Sequence, residues 1–81
     1  MNNHDTLTQV FASILEIDAS EINENLEYQG IPQWDSINHM FLISELENVF
    51  EIEIDSDDIL EVKTFPDTKK VLTKYGVEFQ S

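Results

Sequence analysis

Apolar residues recur at helical spacing along this chain, and that period limits the folds open to it. In "DTLTQVFASILEI", Leu7, Val10, Phe11, Ile14 and Leu15 fall at i, i+3, i+4, i+7 and i+8, the stripe of an amphipathic helix. Asp5 or Thr6 is placed to cap it. A second stripe starts near Ser36 and runs to about Phe50. A third helix opens at Thr64, with Asp67 three residues on as a capping-box variant. Pro66 lies in its first turn, where the missing N–H does no harm, and Gly76 ends it. Phe65, Thr68, Val71, Leu72 and Tyr75 share its apolar face. Before it, Ser56-Asp57-Asp58 opens a short helix with Ile59, Leu60 and Val62, and the acids suit its positive N-terminus. Glu51-Ile52-Glu53-Ile54 alternates like a strand but has no partner elsewhere, so it is expected to be an extended connector. The pattern predicts an all-α fold: a small four-helix bundle of three main helices and one short one.

Composition narrows the function classes. With 81 residues, a single domain over 1–81 and a monomer are expected. Leu, Ile, Val and Phe account for 26 of the 81 residues, too many for a disordered chain in spite of the charge. Cysteine is absent, which excludes disulfides, thiolate metal sites and a thiol nucleophile of the chain's own. Seventeen acids face four lysines, for a net charge of -13. Such a surface repels nucleic acid and anionic membranes, and attracts proteins with basic patches. The apolar runs are too short to span a membrane, and "MNNHDTLTQV" lacks the pattern of a secretory signal. A cytoplasmic location is the expectation.

The longest connection, "DASEINENLEYQGIPQWD", is polar, with Ile22, Leu26 and Tyr28 as expected anchors to the core. Loops of this length in so small a domain are often functional. It runs into Asp35-Ser36, two residues favoured at helix N-termini. On a wheel of the second helix at about 100° per residue, His39, Leu42, Ile43, Leu46, Val49 and Phe50 form the core stripe. Ile37, Met40 and Phe41 fall on the outer face, with Ser44 and Asn48, and with Glu45 at the edge. Two placements fit those three apolar residues: beneath the long first loop as a satellite cluster, or exposed as a docking patch.

The stretch "WDSINHMFLISELENVFEIEI" resembles the second helix of acyl carrier proteins, whose signature is Asp-Ser before a bulky aliphatic residue. The "DDIL" segment and the "TFPDTKKVL" helix resemble that family's third and fourth helices. The resemblance covers nearly the whole chain, in order. It implies that the motif serine, here Ser36, receives 4'-phosphopantetheine from coenzyme A through a separate phosphopantetheinyl transferase. The arm's thiol then carries acyl groups as thioesters. Asp35 resembles the aspartate that presents the serine and meets the transferase's metal. The implied partners are that transferase, an acyl-loading ligase or acyltransferase, and synthase enzymes with basic docking patches. Trp34, Ile37, Met40, Phe41 and Glu45 are the expected partner contacts.

This chain departs from the common pattern in three places. Gln33 and Trp34 stand where many members carry a glycine two residues before the Asp-Ser pair, and Gly30 is the nearby glycine. Phe41 stands where many fatty-acid carriers have an acid, and the second helix carries fewer acids, mainly Glu45 and Glu47. These features point away from central fatty acid synthesis, toward a discrete carrier in a specialised fatty acid, polyketide or related pathway. An aminoacyl or peptidyl carrier is the alternative, although its usual Gly-Gly-His/Asp-Ser pattern is missing. An acidic adaptor with no prosthetic group is the alternative of another class.

Other constellations carry less. Ser36 and His39 lie three apart, but the wheel turns His39 to the core and no orienting carboxylate or cleft accompanies them. A structural histidine is expected, with no catalytic residue and no enzyme activity. His4 falls in an expected frayed terminus. "DSDDILE" fails as a calcium loop, since its sixth and twelfth places hold Leu60 and Pro66. No metal site is expected.

Overall fold

The computed structural model describes residues 2–79. Four helices follow one another: α1 (Asn3–Leu15), α2 (Ser36–Phe50), α3 (Ser56–Glu61) and α4 (Phe65–Lys74). A single 3₁₀ turn, Ala19–Glu21, sits in the first loop. Among the described residues there is no strand, only an isolated antiparallel bridge between Glu27 and Thr64. The all-α four-helix architecture expected from the periodicity is observed.

Helix ends follow from local chemistry. Asn2 caps α1 by accepting from the Asp5 N–H at 2.8 Å, so the helix begins earlier than a cap at Asp5 or Thr6 would allow. His4 is therefore inside α1 and meets the Phe65 ring edge-on, with centroids 5.9 Å apart. It is not in a frayed terminus. Thr64 Oγ1 accepts from the Asp67 N–H at 3.1 Å and caps α4. Gly76 leaves that helix at φ 90°, a left-handed conformation that favours glycine.

The stripes meet in one core. Leu7, Val10, Phe11 and Leu15 of α1 are buried, as are His39, Leu42, Ile43 and Leu46 of α2 and Phe65, Thr68, Val71 and Leu72 of α4. Phe11 lies at its centre. It packs edge-on to Trp34 at 5.3 Å and to Phe65 at 5.0 Å. Aromatic pairs of this geometry add about 0.5–1.5 kcal/mol beyond their buried area.

The first loop is anchored where the sequence suggested. Leu26 is buried, and Ile22 and Tyr28 pack against the core. Tyr28 N–H donates to the Lys63 carbonyl at 2.6 Å, and Phe65 N–H donates to the Leu26 carbonyl at 3.3 Å. These bonds hold the loop beside the entrance to α4. Glu51, expected in the extended connector, is instead the left-handed C-cap of α2; residues 52–54 have no strand partner, and Ile54 N–H donates to the Glu47 carboxylate at 2.8 Å.

Two expectations are corrected. Trp34 is fully buried, so it is a core residue and not a partner contact. Its loop position carries no periodicity, and its indole fills the space that the long loop leaves against α1 and α2. Val49, expected in the core stripe, is 38 % exposed; it lies in the last turn of α2, at the margin of what the other helices cover. Leu60 lies in α3 but is 73 % exposed, because a helix of six residues has room for little more than one inward turn. Its anchors are instead Ile59, partly buried, and Val62, buried just past its end.

The short α3 leans on α4. Lys74 Nζ lies 2.9 Å from Asp58 Oδ1, and the Tyr75 hydroxyl donates to Asp58 Oδ2 at 2.6 Å. The hydrogen bond from Lys74, then that from Tyr75, holds the Asp58 carboxyl below its ordinary value. The same contact raises Lys74.

Candidate functional site

The site is built where the first loop becomes α2. The loop closes on itself before the helix starts: Gly30 N–H donates to the Glu27 carbonyl at 2.9 Å, and Gln29 N–H to the Trp34 carbonyl at 2.8 Å. A β-carbon on Gly30 would come within 3.1 Å of the Glu27 carbonyl oxygen, so the turn favours the smallest residue. Burial of Trp34 then holds the loop's exit against the core.

Asp35 is the N-cap of α2. Its carboxylate accepts from the Asn38 N–H at 2.8 Å, while the Asn38 side chain donates to the Gln33 carbonyl at 2.7 Å. One asparagine thus fastens both the loop exit and the cap. Because Asp35 fills the cap, Ser36 is the first helical residue, and its hydroxyl is not consumed by capping. Ser36 is exposed. The N–H groups of Ser36 and Ile37, in the first turn, have no acceptor within the helix. Together with the helix dipole they suit an anion such as a phosphodiester. An exposed hydroxyl beside such groups fits covalent attachment of a phosphate-bearing arm.

The structure separates the outer residues from the core ones. Ile37 is 67 %, Met40 54 % and Phe41 59 % exposed. They are not packed beneath the loop, so of the two placements open to them the exposed one is observed. Glu45 is half-buried at the edge of this face. His39 points inward and is buried; its ring nitrogens are engaged by Trp34 at 3.0 Å and by the Ile59 carbonyl at 3.2 Å. Ser36 and His39 do not form a catalytic pair.

A recess of about 610 Å³ opens beside His39, between the first loop, α2 and α3. Tyr28, Ile59, Leu60, Val62 and Thr64 share its lining. Sequence reasoning did not find it, since its walls come from three separate segments. The one sequence signal was His39 itself, a polar residue on an apolar stripe. Among the described residues no cluster of His, Asp and Glu is placed to hold a metal, and no helix is long and apolar enough to cross a membrane.

A family model described as "Phosphopantetheine attachment site" matches residues 5–72. The match covers well over half of the chain, so this protein belongs to the phosphopantetheine-binding carrier proteins, a non-catalytic family. Members bear a covalent 4'-phosphopantetheine and depend on a phosphopantetheinyl transferase and on the enzymes of their pathway. No curated protein matches the chain.

Proposed function

We propose that Ser36 carries the 4'-phosphopantetheine and that residues 1–81 form one discrete acyl carrier domain of a specialised fatty acid, polyketide or related pathway. The observation that carries the reading is the division of labour at the start of α2. Asp35 caps the helix, and the exposed Ser36 follows it inside the matched region.

The chain's own part in loading is presentation. Asp35 and Asn38 fix the first turn, so Ser36 Oγ meets the transferase at one place. The N–H groups of Ser36 and Ile37 offset the negative charge that attachment brings. When bound, the arm supplies the thiol that this cysteine-free chain lacks, and that thiol carries acyl groups as thioesters. Ile37, Met40 and Phe41 give partners an apolar surface near the arm. The acyl assignment over a peptidyl one rests on the missing Gly-Gly-His/Asp-Ser pattern.

Intact mass tests the reading. Incubation with coenzyme A and a broad phosphopantetheinyl transferase is expected to add one phosphopantetheine to the wild type and none to Ser36→Ala. A wild type that several transferases leave unmodified would favour the acidic adaptor. Modification that persists in Ser36→Ala would move the site elsewhere.

A further inference from the structure

Three elements meet at one imidazole. Trp34 Nε1–H donates to His39 Nδ1 at 3.0 Å, and His39 Nε2 lies 3.2 Å from the Ile59 carbonyl oxygen. An indole nitrogen only donates and a carbonyl only accepts. Nδ1 must therefore be bare and Nε2 must carry the proton, so a single neutral tautomer satisfies both neighbours. The indole is fully buried, and the imidazole nearly so. Losing the ring would leave the Trp34 N–H without a partner in the core, which costs more than the bond itself contributes.

The short α3 has few other holds on this side of the molecule. None of its residues, Ser56–Glu61, is buried. Its helix–helix packing is with α4, through Asp58, Lys74 and Tyr75. The hydrogen bond that the structure shows from α2 to α3 is the one from His39 to Ile59. His39 sits three residues after Ser36, and residues at that spacing are neighbours on a helix surface. The next residue after Ile59 is Leu60, the most exposed large apolar side chain of the protein's described residues.

We propose that His39 is a positioning residue: in its Nε2–H form it ties α3 to α2 near the turn that carries Ser36, and so fixes where the exposed Leu60 stands for a partner enzyme. The consequence for loading rests on Ser36 being the attachment site. The tie between α2 and α3 does not.

Imidazole nitrogen NMR shifts of the wild type provide the first test. Nε2–H with Nδ1 as an acceptor is expected, and the Nδ1–H tautomer would overturn the proposal without any variant. The second test compares His39→Phe, which keeps a ring but loses both bonds, with His39→Gln, whose amide offers one donor and one acceptor. Amide exchange at Ile59, Leu60 and Val62 is expected to quicken about tenfold in His39→Phe, the scale of one hydrogen bond. His39→Gln should restore most of that protection. In loading by the transferase, His39→Phe should raise KM about fivefold with kcat kept, as for a disturbed contact surface. Exchange in α3 equal to wild type in a folded His39→Phe, or no recovery in His39→Gln, would sink the tie. A wild type that cannot be loaded would instead count against Ser36, while the tautomer and exchange results still decide the role of His39.

Discussion

The Asp35 carboxylate accepts a hydrogen bond from the Asn38 backbone N–H at 2.8 Å. That bond fills the cap of α2 with the residue before Ser36. Capping therefore falls to Asp35 and leaves the Ser36 hydroxyl out of the cap, although both Asp and Ser are good caps.

Variants at Asp35 separate its two roles. Asp35→Ala should lower stability by about 0.5–2 kcal/mol in urea unfolding, the usual cost of a lost cap. Asp35→Asn should keep the stability, because asparagine caps as well as aspartate. If the carboxylate also meets the transferase's metal, Asp35→Asn loads about tenfold more slowly despite its intact fold. Equal loading rates for Asp35→Asn and the wild type would limit Asp35 to capping.

Met40 tests the apolar patch. At 54 % exposure its replacement by Glu should change stability by less than about 0.5 kcal/mol. Loading or acyl transfer with cognate enzymes should fall about fivefold, as for a contact at the heart of an interface. Unchanged rates would mean that partners meet another face.

Asp58 gives a pH dependence with a defined sign. Lys74 and Tyr75 favour its charged form, so its carboxyl titrates below the ordinary 3.8 in the folded protein. The stabilisation is fully present above the unfolded value and is lost as pH falls through the lower folded one. The stability difference between the wild type and Asp58→Asn should therefore shrink as pH drops from about 5 to about 2 in chemical unfolding. A difference that stays constant over that range would show that the Asp58 contacts contribute no charge-linked stability.

Salt should act on fold and partner in opposite directions. The net charge of -13 repels itself across a small surface. Raising ionic strength from about 0.01 M to about 1 M shortens the screening length from about 30 Å to about 3 Å. The melting temperature should rise over that range. The association rate with a basic partner should fall, since steering by the acidic surface is screened. A salt-independent on-rate would assign docking to the apolar patch alone.

Much of this architecture is local, and local features were legible. The bounds of α2 at Ser36 and Phe50 follow from a cap next to a periodic stripe. Thr64 and Gly76 mark α4 through one side-chain acceptor and one left-handed residue. The extended connector before α3 follows from the absence of any segment that could pair with it. In each case the deciding interactions span a few residues of chain.

Trp34 shows where such reasoning stops. Nothing beside it in the sequence says which way a loop tryptophan turns, and only the meeting of the loop with Phe11 and His39 buries it. Val49 departs in the opposite sense, as an apolar residue that the neighbouring helices do not cover. The sequence by itself determined the helices, the acidic surface, the lack of a thiol and the exposed turn at Asp35-Ser36, because each depends on short-range spacing or on composition. The tertiary structure alone decided that Trp34 is core, that Ile37, Met40 and Phe41 are open, and that His39 joins the loop to α3. Those outcomes depend on which segments pack together, and the period of a single helix carries no information about its neighbours.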